Sequence, residues 1–400
     1  MKPRKWIAIS LAAAAAAAVT TTATTTTASA ATAATTPARQ AYTQQDLQRD
    51  LDAITATGVP GVLAEVRTGS HVLRGTSGVA NLGTRAPVNA SGYFRIGSNT
   101  KTFVSVVLLQ LVAEHRLSLD DTVARWLPGV VHGNGNGNDG NEITVRELLQ
   151  HTSGLHNYTD DLQAEITSPE AYKKLEFEQF SRQDLLNIAF SHQPTSAPGA
   201  AFNYSNTNYI LLGMIIEKVT HDSWENQVTK RIIRPLGLRH TFAPGTSTRL
   251  PRPHATGYLI FDKNTRVDTT LENMSWADSA GALISTASDL SRFWSAIGNG
   301  TLLPPAQIRE MRETVPATGG DVDTVPGSRY GLGIFSIPLT CGGVYWSHEG
   351  DVPGYNTIGA VSSDGRTTVV LSLNSNVDDP VLAAEYGLVD HVMCDQPGQG

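Results

Sequence analysis

The chain has 400 residues, 40% hydrophobic and 17% charged, which is a globular composition and excludes a disordered or fibrous protein. Its formal charge is −7 and it contains no Lys/Arg cluster, which argues against nucleic acid or anionic lipid as partners.

The first thirty residues read as a secretory signal peptide. Lys2, Arg4 and Lys5 give a basic start, Trp6 to Val19 an apolar stretch, and Ala28-Ser29-Ala30 a small-residue cleavage site. The organisation expected is a signal peptide over 1–30, a disordered leader over 31–42, one domain over 43–395 and a tail over 396–400. Cleavage removes three positive charges, giving about −10, and leaves a secreted chain with no membrane anchor. Only two cysteines exist, Cys341 and Cys394, and in an oxidising compartment they are expected to form one disulfide.

Thr43 to Thr57 has the pattern of an amphipathic helix ending at Gly58-Val59-Pro60. Strand-like runs follow at Val62 to Val66 and His71 to Val79. After Ile96-Gly97, the residues Phe103, Val104, Val107, Leu108, Leu111 and Val112 recur at helical spacing and predict a helix buried on a wide face. Helical signals dominate to about 245, and strand signals return after Tyr330: Gly331 to Ile337, Val344 to Ser347, Tyr355 to Ser362 and Thr367 to Leu373. Asp364-Gly365 marks a hairpin turn, and Pro380 to Val392 a closing helix. This order predicts an α/β fold interrupted by a helical insertion, the sheet being completed by the C-terminal third.

The repetitive stretch Gly133 to Gly140 contains a formal G-x-G-x-x-G match, but it follows no strand and reads as a polar loop. There is no H-E-x-x-H, no pair of cysteine ligands at metal spacing and no G-x-S-x-G elbow, so neither metal nor organic cofactor is implied.

Ser98-Asn-Thr-Lys101 opens the buried helix. Residues three apart share a helix face, so the Lys101 amine would stand beside the Ser98 hydroxyl and could act as its base. Such a tetrapeptide occurs by composition about once or twice in a chain this long, so it needs companions. Two lie downstream: Tyr204-Ser205-Asn206 at a loop-to-helix junction, and His348-Glu349-Gly350 on a predicted strand, followed by Asp351. Tyrosine can carry a proton to a leaving amine, asparagine can orient a carbonyl, and glycine beside a strand lets a substrate backbone approach.

The three motifs in this order resemble the penicillin-recognising serine hydrolases: DD-peptidases, class C β-lactamases and their esterase relatives. The resemblance extends to Leu148-Leu-Gln-His151-Thr-Ser153-Gly-Leu155, Ser275-Trp276-Ala277, Ala280-Gly281-Ala282 and Tyr330-Gly331-Leu332-Gly333, over about 43–395. It is strongest to the soluble secreted bacterial D-alanyl-D-alanine carboxypeptidases. It implies a β-lactamase/DD-peptidase-like fold, an antiparallel sheet flanked by N- and C-terminal helices, with 43–99 and about 280–395 as the α/β part and about 100–279 mostly helical. By the same resemblance, Ser98 is the acylated nucleophile, Lys101 its base, Tyr204 the proton relay and Asn206 the holder of the acyl side. His348 joins this catalytic set, His151 and Ser153 are structural, and the N–H groups of Ser98 and Asp351 form the oxyanion hole. Trp276, Phe335, Glu349, Gly350 and Asp351 are expected to line the substrate.

The sequence departs from the carboxypeptidase pattern where that pattern grips a carboxylate. Glu349 and Asp351 stand at the two threonine positions, and Phe335 at a basic one. A carboxylate about 4 Å from another costs up to about 4 kcal/mol at an effective dielectric of 20, roughly a thousandfold in binding. The expected activity is therefore a secreted, D-alanyl-D-alanine carboxypeptidase-like acyl-enzyme hydrolase, with small peptide, amide or ester substrates and β-lactams as candidate ligands. A D-aminoacyl amidase, aminopeptidase or esterase, a β-lactamase, and a non-catalytic binding protein are the alternatives, and Arg329 is an alternative carboxylate donor.

Overall fold

The computed structural model describes residues 41–132, 135–262, 265–318 and 325–395. The expected signal peptide, the expected tail and most of the expected leader lie outside these residues. Tyr42, at the end of the leader, is part of the fold: it is buried, its hydroxyl donates to Asp50 at 2.8 Å and its ring meets His391.

Helix α1 spans Gln44–Ala56. Thr43 caps it and Asp46 closes the reciprocal bond, satisfying two of the orphan N–H groups at its start. Leu47, Leu51 and Ile54, at spacings of four and three, form its buried face. Strands β1 (Gly61–Thr68) and β2 (His71–Gly78) make a hairpin.

Helix α2 (Asn99–Ala113) runs through the centre of the molecule, with Phe103, Val104, Val106, Val107, Leu108, Leu109 and Leu111 fully buried. Burial all round explains why its apolar residues are not confined to one stripe, and each such side chain stabilises by about 1.5–3 kcal/mol. Among the helices that follow are α3 (Tyr158–Glu165), α4 (Arg182–Phe190), α5 (Asn206–Thr220), the short α6 (Asp278–Gly281) and α7 (Ala287–Gly298).

The C-terminal third supplies β3 (Val315–Pro316), β4 (Arg329–Tyr330), β5 (Phe335–Pro338), β6 (Val344–Val352), β7 (Tyr355–Ser362) and β8 (Thr367–Leu373), then α8 (Asp379–Cys394). The sheet order is β2-β1-β8-β7-β6-β5-β4-β3, and every pairing is antiparallel. The first hairpin and the last strands thus meet at β1–β8, as the sequence order predicts. Two expectations shift. The strand expected over Gly331–Ile337 is broken, because Gly333 takes φ +77°, and the strand expected to end at Ser347 runs on to Val352.

Each face of the sheet is covered. On one, Val62, Ala64, Ile358, Ala360, Leu371 and Leu373 pack with Leu47 and Leu51 of α1 and Leu388, Val389 and Val392 of α8. On the other, Leu63, Trp346, Val361 and Val370 pack with α2 and with Phe293 and Trp294 of α7. Cys341 and Cys394 are joined, tying the β5–β6 turn to the end of α8. No helix among the described residues is long and apolar enough to cross a membrane.

Candidate active site

Ser98 is the N-cap of α2, and the Lys101 N–H closes the first turn on its carbonyl at 2.9 Å. The start of this helix is pinned by α7, whose Trp294 Nε1 donates to Asn99 Oδ1 at 3.2 Å. Gly359 of β7 makes room, since a Cβ there would lie 1.9 Å from Trp294 Nε1.

Lys101 is fully buried. Its Nζ lies 2.7 Å from Asn206 Oδ1 and 2.8 Å from Ala280 O, both of which accept, and 2.8 Å from Ser98 Oγ. Burial pushes its pKa well below that of an ordinary lysine, because no carboxylate compensates the desolvated charge. A neutral amine has two N–H bonds and one lone pair. Asn206 and Ala280 take the two N–H bonds, so the lone pair faces Ser98 and can receive its proton.

Tyr204, half-buried, is hydrogen-bonded to Ser98, and its ring centroid lies 4.9 Å from Lys101 Nζ. Desolvation raises its pKa above the usual phenol value, so it stays protonated as a donor. His151 positions this loop. Its Nδ1 accepts from Ser205 N and from Asn208 Nδ2, each at 3.1 Å, while Ser153 Oγ donates to Asn208 Oδ1 at 2.6 Å. Both residues are structural, as expected.

Asn206 acts differently from expectation. It is expected to hold the acyl side of the substrate, but its Nδ2 donates to Asn157 Oδ1 at 3.2 Å and Thr159 Oγ1 at 3.0 Å. That fixes the amide so that Oδ1 faces Lys101. Asn157, Thr159 and the Ala280 carbonyl carry no sequence signal of their own, apart from the Ala280-Gly281-Ala282 marker.

The opposite wall is β6. Strand β5 pairs with it only as far as Ser347, so the edge from His348 to Val352 is open to a substrate strand. Gly350 presses against the helix start: a Cβ on it would lie 1.9 Å from Ile96 O and 3.0 Å from Ser98 N. A Cβ on Gly97, whose φ is +50°, would lie 2.9 Å from Asp351 N. The Ser98 and Asp351 N–H groups are thereby neighbours, the arrangement an oxyanion needs.

His348, expected in the catalytic set, has both nitrogens engaged. Nδ1 lies 2.6 Å from Glu349 O, which can only accept, so the proton is on Nδ1; Nε2 accepts from Tyr330 OH at 3.0 Å. Desolvation pushes its pKa down to about 3. It is a neutral positioning residue rather than a proton carrier.

Of the expected substrate contacts, Phe335 is buried against Tyr330 and His348, with centroids at 4.5 and 5.3 Å. It is core, not cleft lining. Glu349 is half-buried and its carboxyl accepts from Tyr386 OH of α8. Arg329 donates to Thr314 Oγ1 at 2.8 Å and Thr314 O at 2.7 Å, which leaves it on the outside of the sheet edge.

Asp351 and Trp276 do line a cavity, of about 490 Å³. Leu162, Ile166, Phe180, Leu259 and Val352 make much of it apolar, and Glu176 and Glu272 also border it. Thr159 joins it to Asn206. Glu176 accepts from Lys173, and burial pushes Glu272 up to about 8, so it is neutral at pH 7. Asp351 has no hydrogen-bond or ion-pair partner among the described residues. Its side chain is open to solvent at the cavity mouth but protein surrounds its other sides, and this limited hydration pushes it up to about 7.

The sequence profile of the Beta-lactamase family matches residues 12–392. The chain belongs to that family. Among curated members, the putative penicillin-binding protein PbpX of Bacillus subtilis (strain 168) is 27% identical over 317 residues, 79% of this chain and 71% of that protein. Among solved structures of the fold, a D-stereospecific amidohydrolase from Streptomyces sp. is 39% identical, with TM-score 0.78 over 86% of this chain and 99% of its own. The D-amino acid amidase of Ochrobactrum anthropi SV3, complexed with L-phenylalanine amide, is 26% identical, with TM-score 0.74 over 87% of this chain and 97% of its own. The expected β-lactamase-like fold and serine-hydrolase family are thus found.

Proposed function

We propose that this family member is a secreted serine hydrolase that takes D-aminoacyl groups from amides or short peptides. The observation that carries the reading is Asp351: an unpartnered carboxylate at the mouth of an apolar cavity, on the residue whose N–H is the second oxyanion donor. An aminoacyl amide with a free ammonium and an apolar side chain matches that pairing of charge and lining. The similarity to a D-stereospecific amidohydrolase and to a D-amino acid amidase supports the same reading.

In the chemistry we propose, Ser98 Oγ bonds to the substrate carbonyl carbon and its proton passes to Lys101 Nζ. The oxyanion rests on the Ser98 and Asp351 N–H groups, worth a few kcal/mol of transition-state stabilisation. Tyr204 protonates the leaving nitrogen as the C–N bond breaks, and regains a proton from Lys101. Water then attacks the ester by the reverse path, releasing the acid and Ser98.

Carboxypeptidase action is the second reading, favoured by relatives named as penicillin-binding proteins. It asks for a cation opposite the terminal carboxylate. His348 is neutral, Arg329 is tied to Thr314, and Lys101 is enclosed. Secretion is supported by the basic-apolar-small N-terminal pattern and by the Cys341–Cys394 link.

The test compares kcat/KM for D-phenylalanine amide, its L enantiomer and an N-acetylated D-Ala-D-Ala free acid. The expected order puts the D-amide first. A strong preference for the free acid would overturn this reading in favour of the carboxypeptidase. Rapid turnover of a labelled penicillin, with neither of the others hydrolysed, would assign a β-lactamase instead.

A further inference from the structure

Away from Ser98, His156, Asp161 and His192 converge. His156 Nε2 lies 2.7 Å from Asp161 Oδ2 and His192 Nε2 2.9 Å from Asp161 Oδ1. The two imidazoles are stacked, with centroids 3.8 Å apart, and the potential ligand atoms all lie within 4.8 Å of one another. All three side chains are partly exposed, so an ion can reach them.

We propose that these three residues form a site for a borderline divalent transition metal, Zn²⁺ in the first instance. Two imidazoles and one carboxylate, with a fourth position left for water, is a donor set that suits Zn²⁺. With bonds of about 2.0–2.1 Å, tetrahedral ligands stand about 3.3 Å apart. The present N–O separations have to open by roughly half an ångström, a small rotation for half-exposed rings.

The backbone on either side of the cluster is held by side chains from elsewhere. Asn136 Nδ2 and Asn138 Nδ2 each donate to His192 O at 2.9 Å. These asparagines belong to the Gly/Asn-rich loop, whose amides thus clamp one proposed ligand. On the other side, the hydroxyls of Ser205 and Thr207 donate to His156 O at 3.2 and 2.6 Å. Two ligands are thereby fixed at the backbone before any ion arrives, which lowers the ordering cost of binding. Sequence inspection finds no zinc motif here because the ligand separations, 5 and 31 residues from Asp161, match no short-range spacing.

The site also borders the catalytic framework. Asn157, next in the chain to His156, accepts from Asn206 N at 2.9 Å, and Asn206 holds Lys101. The proposal stands independently of which substrate Ser98 takes.

The test uses the full chain after chelator treatment, titrated with Zn²⁺ by calorimetry and with Co²⁺ by visible spectroscopy. One equivalent of Zn²⁺ is expected, with a rise in melting temperature and the absorption bands of four-coordinate Co²⁺. Changing an outer partner of a metal ligand typically weakens affinity about 10- to 100-fold, so losing a ligand should cost no less. His192→Ala and Asp161→Asn should therefore each weaken Zn²⁺ binding at least about tenfold. His71→Ala, an exposed histidine elsewhere, should leave it unchanged. Absence of stoichiometric uptake, or uptake unaltered in both the Ala and Asn variants, overturns the proposal.

Discussion

Gly350 and Ser98 are so close that a side-chain carbon on the glycine would fall 3.0 Å from the serine nitrogen and 1.9 Å from the carbonyl of Ile96. Both obstacles are backbone, so a larger residue at 350 has to push the strand away from the helix start. That would separate the two N–H groups proposed as oxyanion donors. Gly350→Ala is expected to lower kcat by about 10²-fold or more, the typical effect of losing one donor, with the far-ultraviolet circular dichroism unchanged. An alanine variant within threefold of the parent kcat would show that Asp351 N does not serve the oxyanion.

Lys101 has three directions and only one of them faces the nucleophile. Lys101→Met keeps the length of the side chain and removes the base. Phosphonylation of Ser98 by an activated phosphonate ester, in which Oγ bonds to phosphorus and the ester's leaving group departs, should slow by about 10²–10⁴-fold when followed by mass spectrometry. Since burial lowers the amine's pKa well below the usual lysine range, the parent enzyme should keep its acylation rate as pH falls from 9 toward neutrality. A rate that tracks an ordinary lysine titration would contradict the neutral-base assignment.

The parts of this site that could be read in the sequence are the local ones. Ser98 and Lys101 are three residues apart on one helix, so their contact follows from helical geometry alone. The alternation of Val62, Ala64 and Val66 with Leu63 marks a strand buried on both faces, and α1 announces itself through Thr43 and Asp46. What failed was long-range. That Thr159 and Asn157 occupy the amide of Asn206 depends on where α3 lands against α5, across about 50 residues. Motif alignment placed Phe335 and Glu349 at the substrate, with Arg329 as an alternative carboxylate donor, yet their neighbours Tyr330, Tyr386 and Thr314 direct them into core packing or along the sheet edge. The cavity beside Asp351 is assembled from several separate chain segments, so no window of sequence contains it.

Asp351 should set the substrate charge. Its carboxyl titrates near 7, so the ionised form that attracts an ammonium accumulates as pH rises through that value. For D-phenylalanine amide, KM should therefore fall between about pH 6 and 7, below the titration of the substrate's own α-amine at about 7.7. Asp351→Asn should flatten that dependence and raise KM about 10- to 100-fold, the range for a hydrogen bond to a charged group, with a smaller change in kcat. The asparagine retains the backbone N–H, which separates this effect from loss of the oxyanion hole. Equal KM profiles for the two proteins would remove Asp351 from substrate recognition.

Glu385 gives the fold a pH dependence of definite sign. It is fully buried on α8, neither carboxyl oxygen has a hydrogen-bond partner among the described residues, and desolvation, with Glu349 and Asp351 nearby, raises its pKa well above the ordinary value. The folded chain therefore keeps a proton that the unfolded chain releases near pH 4.5. Where the folded state binds more protons, stability falls as pH rises, by about 1.4 kcal/mol per pH unit per proton, until the buried group itself ionises. Glu349, pushed up to about 7 by desolvation and by Asp351, adds a contribution of the same sign between about 4.5 and 7. Glu385→Gln keeps the shape and cannot ionise. Denaturant unfolding at pH 4, 6 and 8 should find the variant close to the parent at pH 4 and progressively more stable than it at 6 and 8. Parallel stability curves for the two proteins would mean that Glu385 is already ionised in the fold.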